Sequence, residues 1–468
     1  MALSLNMPLL IRNADIVNAD SRTRGDIYIE DETITRIGPN LEAPPGSESA
    51  TEIIDATGKL VFPGFIDPHV HIYLPFMSTF AKDTHETASI AALLGGTTTF
   101  IEMCCPSRLD DPLESYQLWK SKAEGNSACD YTFHMSVTNW TPNTEGQLRE
   151  IVADGISSFK IFLAYKNFFG VDDGEMYQTL MLAKQLGVIV TAHCENAELV
   201  GRLQQRLLAE GKTGPEWHEP SRPESVEVEG TTRFGTFLEN TGAHGYVVHL
   251  SCEGALNAAI RAKRRGVNLA VEAVIPHFLL DKTYAERPGV EGLKYVMSPP
   301  LRHKRNNRVL WKALADGHID TVGTDHCPFD TEQKLMGEGD FTKIPNGIPG
   351  LEERVNLLYT FGVKRGGLDI HRFVDAASTQ AAKLFGLYPR KGAVAVGSDA
   401  DLVIYDPDNI SVLSAATHHG NFNYNGFEGT EIDGRPSVVT VRGKVQVRDG
   451  EFVGQRGRGQ FLRRERTY

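Results

Sequence analysis

The stretch FPGFIDPHVHIYLPF, residues 62–76, sets two histidines one residue apart directly behind an apolar run. Residues i and i+2 of a strand share a side. His69 and His71, at the end of a buried strand, can therefore turn both imidazoles towards one cation. The pair taken alone also fits two ordinary hydrogen-bonded histidines. The decision rests on whether the remaining chain offers further ligands at equivalent places.

Working outward, seven more short apolar runs follow VFPGFID (61–67): TTTFIEM, DYTFHMSV, SSFKIFL, VIVTAHC, GYVVHLS, VNLAVEAV and HIDTVGTD. Near-continuous apolar, β-branched runs are what strands buried on both faces require. Between them lie ETASIAALLGG, EMYQTLMLAKQLG and GALNAAIRAKRRG, apolar at helical spacing and stopped by glycine. Eight such strands with helical crossovers predict an α/β protein with a (β/α)8 TIM barrel over residues 61–392. The ends read differently. LLIRNADIV and GDIYIEDETITRIG near the start, and AVAVGSDADLVIYDP and SVVTVRGKVQVRDGEFVG near the finish, alternate apolar and polar residues between turn signals. Residues 1–60 and 393–450 are each short for an independent domain, and are expected to pair into one small β-sandwich. The basic tail, residues 451–468, lacks periodicity and reads as disordered or as wrapping a neighbouring subunit.

Composition narrows the function classes. The 468 residues are 41% hydrophobic and 23% charged, with a formal net charge of −12. Nucleic acid and anionic membranes both call for basic surface, so neither is an expected partner. The opening MALSLNMPLLIRNADIV has no basic segment ahead of its apolar residues and no small-residue cleavage site. No stretch approaches the roughly 20 apolar residues of a membrane span. Six cysteines without a CxxC pair are too sparse for a disulfide scaffold and point to a reducing cytoplasm. Cys194, Cys252 and Cys327 read as small packing residues.

Barrel enzymes carry their chemistry at the C-terminal ends of the strands. Reading only those ends gives His69 and His71 on strand 1, Lys160 on strand 4, His193 on strand 5, His249 on strand 6 and Asp325 on strand 8. Each has an ordinary alternative: a hydrogen-bonded histidine, Asp325 as a helix cap, Lys160 as a snorkelling side chain. Those alternatives must hold independently at five strand ends, whereas one transition-metal site explains all of them. His85, His218, His303 and His371 are assigned to surface or structural roles.

The set PGFIDPHVH, FKIFLAYK, TAHCEN, VVHLSC, MSPPLR, GTDHCPF and FTKIPNGIPG resembles the cyclic amidohydrolases, specifically dihydropyrimidinases and D-hydantoinases. The HxH pair is common to the wider superfamily; FKIFLAYK with MSPPLR and GTDHCPF is narrower. The resemblance covers nearly the whole chain. It implies that Lys160 is carboxylated by CO2 to N6-carboxylysine and bridges two divalent metal ions, zinc, with manganese or cobalt as alternatives. One ion takes His69, His71, Lys160 and Asp325; the other takes Lys160, His193 and His249. The same resemblance implies that water made acidic by the cations attacks the ring carbonyl of a cyclic ureide or imide. Tyr165 then donates to the oxyanion, and Asp325 carries the proton to the leaving nitrogen. Ser298 and Asn346 read the ureide edge through backbone groups. The implied reaction opens dihydropyrimidines or 5-substituted hydantoins to N-carbamoyl amino acids, in a homotetramer.

Substituent preference is expected from loops bearing Tyr73, Phe76, Met77, Phe168 and Phe169. IYLPFMSTFAKDTHETAS departs from the hydantoinase pattern, and Gln380 and Ala381 stand where the family often has Asn-Pro. DTHETAS with GGTTTFIEM leans towards allantoinases and dihydroorotases, the alternative substrate classes. MSPPLR and FTKIPNGIPG favour the hydantoinase side. Ile72 and Tyr73 stand where a dihydroorotase would place an arginine. Two further rivals are a mononuclear deaminase, which has no need of Lys160, and a non-catalytic scaffold of the same fold, which would have lost ligands.

Overall fold

The computed structural model describes residues 7–45 and 50–467. Residues 1–6 and 46–49, in the expected first sandwich segment and the opening stretch, and Tyr468 of the tail lie outside the described residues.

All eight apolar runs form strands of one sheet: Phe65–Val70, Thr97–Cys104, Asp130–Ser136, Ser158–Phe162, Ile189–His193, Gly245–Val247, Leu269–Val274 and Thr321–Gly323. Each pairs in parallel with its sequence neighbour. The eighth returns to the first through a parallel bridge between Val70 and His326, where the His71 amide donates to His326 O at 2.7 Å. Asp67 reinforces that seam: its carboxylate accepts from the His69 and Thr324 amides and the Thr324 hydroxyl. The ring is a (β/α)8 barrel. Every residue of the fourth strand, SFKIF, is buried, as a strand covered by helices on one side and barrel core on the other must be.

The connecting helices begin and end on local signals. Asp172 and Glu175 form a reciprocal capping box on Asp173–Leu186, and Gly187 closes that helix at φ 67°. Asp330 caps Thr331–Leu335. The cap of the helix after the eighth strand is therefore Asp330, and Asp325 is left free for the barrel mouth.

The two β-rich ends share one nine-stranded sheet that completes a small β-sandwich. Leu402–Val412 runs antiparallel to Leu60–Pro63, which joins the N-terminal strands to the C-terminal ones. Its aliphatic layer includes Ile11, Ile27, Ile29, Val61, Leu402 and Ile404. Leu60–Pro63 passes straight into the first barrel strand through Gly64. A Cβ at Gly64 would lie 2.0 Å from Thr98 Oγ1, so only glycine allows the chain to cross there.

The tail corrects the expectation of disorder. Glu451–Phe452 adds a short edge strand to the sandwich sheet, and residues 459–464 lie across the barrel's own underside: Tyr131 N donates to Gln460 O at 3.0 Å and Leu462 N to Tyr131 O at 2.8 Å. Phe461 stacks on Phe133, and buried Arg464 donates to Ser158 Oγ at 2.9 Å and to Phe133 O. Lack of periodicity reflected an irregular strap rather than a loose one. No helix among the described residues is long and apolar enough to cross a membrane.

Candidate active site

The strand ends bring the six expected ligands to one mouth of the barrel. The Asp325 Oδ1 oxygen lies 3.1 Å from His69 Nε2 and 3.2 Å from His71 Nε2. The ring centroids of His193 and His249 are 4.6 Å apart, and those of His69 and His249 are 5.3 Å apart. His71, Lys160, His193, His249 and Asp325 line a small cavity of about 40 Å³, and His69 lies fully buried against Asp325. Two of these residues pay for their aim in backbone strain: His249 at φ 38° and Asp325 at φ 52° hold left-handed conformations rare for non-glycine residues.

Electrostatics suit cation binding at three of the four imidazoles. Burial lowers the pKa of His71, His193 and His249, which favours the neutral imidazoles a metal requires. Burial also brings Lys160 down to about 8, although Asp325 pulls the other way. Its Nζ is buried without a hydrogen-bond partner, near the Phe162 ring. Burial opposes charge on His69, but Glu272 and Asp325 on either side raise it to about 9. Burial would raise Asp325; His69 and the hydrogen bonds from His69 and His71 hold it well below the usual carboxylate range. His69, His71 and Asp325 have ligand atoms within 4.8 Å of one another. Together with the orphaned Lys160 amine, this donor set fits divalent metal. A neutral, buried amine is also the form able to take up CO2, and a carbamate in its place gives two more oxygen donors.

Tyr165, Ser298 and Asn346 occupy the facing wall. Asn346 Nδ2 donates to Ser298 Oγ at 3.0 Å and reaches Tyr165 Oη at 3.4 Å. Tyr165, at φ 56°, follows the fourth strand and turns back over the His193 ring. All three line the inner cavity, and Tyr165 and Asn346 also line an outer vestibule of about 580 Å³. Phe76 packs edge-on to Tyr165 at the junction of the two spaces, with Phe169 on the inner side and Met77 and Phe168 on the outer. Tyr73 breaks from this group: it packs on Trp119 and lies beneath Lys122, away from both cavities. Proline at position 75 and the short Pro75–Phe76 strand turn the chain so that Leu74 and Phe76, rather than Tyr73, face inward.

Several residues escaped the sequence reading. Glu272, in the seventh strand, orients His69; Glu195 lies 2.7 Å from His193 Nε2 and is held in turn by Arg222. A carboxylate inside the apolar run LAVEAV, and one two residues after His193 just past the strand end, were the available signals. His218, assigned a surface or structural role, is buried and bonds Met297 O at 2.8 Å; it also lines the vestibule and contacts Ser298 Oγ at 3.3 Å. Of the others, His85 is held by Glu102, His371 meets Asn18 O, and His303 is exposed.

Comparison with known proteins follows the same lines. The model of the amidohydrolase family matches residues 60–446.

The chain belongs to the amidohydrolase family.

It is 45% identical to a D-hydantoinase of Geobacillus stearothermophilus over 98% of this chain and 97% of the relative. It is 39% identical to a dihydropyrimidinase of Rattus norvegicus, over 98% and 89%. A solved D-hydantoinase (dihydropyrimidinase) from Thermus sp. superposes with a TM-score of 0.96 at 78% identity, covering 98% of this chain and 100% of that one. These family members are named as enzymes, and the non-catalytic scaffold alternative falls away.

Proposed function

We propose that the chain is a hydrolase that opens the cyclic amide ring of dihydropyrimidines or 5-substituted hydantoins to N-carbamoyl amino acids. The observation that carries this reading is one cavity with His71, Lys160, His193, His249 and Asp325 on one side and Tyr165, Ser298 and Asn346 on the other. The names of the relatives, D-hydantoinase and dihydropyrimidinase, support it.

In this reading two divalent metal ions are held by His69, His71, Lys160 and Asp325, and by Lys160, His193 and His249. Lys160 serves as its carbamate: the neutral amine adds to the carbon of CO2 and releases a proton. Bound cations supply Lewis acidity and make water a nucleophile at neutral pH. Asp325, ionised because its neighbours hold its pKa down, accepts the proton of the attacking water and hands it to the ring nitrogen as the C–N bond breaks. The Tyr165 hydroxyl donates to the oxyanion that develops on the former carbonyl. Backbone groups at Ser298 and Asn346 match the alternating donors and acceptors of the ureide edge. The apolar ring of Phe76, Phe168 and Phe169 excludes water from the ring substituent side. Zinc as the cation, with manganese or cobalt as substitutes, a homotetrameric assembly and a cytoplasmic setting complete the proposal. So do a barrel spanning residues 61–392 and sandwich segments 1–60 and 393–450.

The test is a substrate panel of dihydrouracil, hydantoin, phenylhydantoin, allantoin and dihydroorotate with product chirality recorded. Release of an N-carbamoyl amino acid from the first three supports the reading. Ammonia as product, or turnover confined to allantoin or dihydroorotate, overturns it.

A further inference from the structure

Lys334 is a buried amine with no carboxylate beside it among the described residues. It belongs to the short helix Thr331–Leu335. An isolated ammonium in the interior is costly, and burial lowers this amine to about 7 although Cys327 pulls the other way. The compensation is specific. Nζ donates to Val296 O at 2.9 Å, Pro345 O at 2.7 Å and Gly347 O at 2.7 Å. An ammonium has three N–H donors, and all three are used. The Phe329 ring lies 5.8 Å away on the remaining side.

The three carbonyls come from two loops far apart in sequence. Val296 precedes Ser298 by two residues; Pro345 and Gly347 flank Asn346. The Gly347 amide also donates directly to Val296 O at 2.9 Å. Gly347 lies at φ +155°, where a Cβ would come 2.2 Å from Cys327 O, so this loop is pressed onto the segment that carries Asp325. One ammonium thus fastens the two proposed ureide-reading loops to each other above the eighth-strand end. Lys334 itself lines neither cavity.

We propose that Lys334 is a positioning residue for substrate: its ammonium clamps the Val296–Ser298 and Pro345–Gly347 segments so that their ureide-facing backbone groups keep a fixed spacing. This rests on the reading of Ser298 and Asn346 as substrate-binding positions. Dispersed carbonyls repel one another when nothing draws them together. Loss of the ammonium leaves the Pro345 and Gly347 carbonyls unpaired, and leaves the two loops joined only by the Gly347 amide on Val296 O and Asn346 Nδ2 on Ser298 Oγ, so that their spacing is held less firmly. Of the proposed metal ligands only Asp325 lies on the segment these loops touch, where Asp67, Thr324 and the His71–His326 bridge hold the strand end; the other ligands lie on other strand ends and stay in place.

The experiment measures Lys334→Met and Lys334→Gln beside the wild type, with dihydrouracil and phenylhydantoin as substrates. Each protein is assayed for kcat, KM, metals per chain and melting temperature. The Ki of acetohydroxamate is measured too, because it binds metal but lacks the ureide edge. For Lys334→Met the expected result is a KM raised at least about tenfold, kcat reduced less than about fivefold, and metal content and hydroxamate Ki within about twofold of wild type. Lys334→Gln, with two N–H donors for three carbonyls, falls between. A KM within about twofold of wild type in both variants overturns the inference. So does a hydroxamate Ki that rises in step with KM, or failure of both variants to fold with metal bound, since either makes Lys334 a general structural residue. If the wild type opens no ring substrate, the functional reading falls and takes this inference with it. Wild-type turnover with an unmoved KM in the variants rejects the inference alone.

Discussion

Glu272 Oε1 stands 2.8 Å from His69 Nδ1, and the same oxygen accepts the His249 backbone N–H at 2.9 Å. One carboxylate of the seventh strand therefore orients donors from the first and sixth strands. Its second oxygen accepts from the Tyr246 hydroxyl at 2.7 Å, so Glu272 cannot swing away. Partners of this kind set the tautomer and basicity of a ligating imidazole. Glu272→Gln should weaken metal binding by about 10- to 100-fold while the protein remains folded. Competition with a graded chelator, read by metal analysis, checks this. An unchanged affinity would remove Glu272 from the site.

Lys160→Ala should lose most bound metal and at least about 100-fold in activity, since it removes the bridging donor from both proposed ions. Acetate or propionate added to the variant should restore part of both, by placing a carboxylate where the proposed carbamate would stand. Full activity without added short carboxylic acids would sink the bridging assignment.

Tyr165→Phe isolates the oxyanion contact. The ring keeps its packing on Phe76 and His193, and only the hydroxyl that meets Asn346 is lost. Removing one such donor typically costs about 10²-fold in kcat. Steady-state kinetics with a metal count should find kcat reduced on that scale and the metals retained.

Glu353 makes stability depend on pH. Burial and the adjacent Glu352 push it from an ordinary 4.5 up to about 8, against a 2.7 Å hydrogen bond from Asn425. The folded state holds this proton more tightly than the unfolded one. Its contribution is complete below about 4.5 and is lost as pH rises towards 8. Glu353→Gln should therefore lie close to the wild type at pH 5 and exceed it by about 4 kcal/mol at pH 9. The difference in melting temperature between the two proteins at each pH is the measurement. A variant less stable than wild type at pH 9 would refute the buried, protonated carboxyl.

Removal of residues 459–468 should destabilise the barrel by about 3 kcal/mol or more, the scale of uncovering one aromatic and one aliphatic side chain. Phe461 and Leu462 supply those contacts, and Arg464 adds its bonds to Ser158 and Phe133. Melting of the truncated chain tests this; an unmoved transition would mean that the strap is dispensable.

The eight barrel strands were legible because a buried parallel strand advertises itself locally, as SFKIF and DYTFHMS do. The candidate ligands were legible because they close those runs. Partner residues were harder. Nothing around Lys334 in TEQKLMG separates it from a surface lysine, since its burial is produced by loops that begin about 40 residues upstream and ten downstream. Tyr73 looked like a pocket residue because residues near the HVH motif generally face the mouth. The direction of each side chain in IYLPF was set by a turn that the sequence left open.

The amino-acid sequence by itself determined the donor types, their order along the chain and the strands that end in them. Those follow from local patterning, in which each strand carries its own signal. The tertiary structure decided where they point. His249, Asp325 and Tyr165 reach the site through left-handed backbone conformations that only the surrounding packing can sustain. Glu272 acquires its role from a contact spanning 203 residues, which closure of the barrel brings within hydrogen-bonding distance; Arg222 and Lys334 acquire theirs from loops that fold back over 27 and 11 residues.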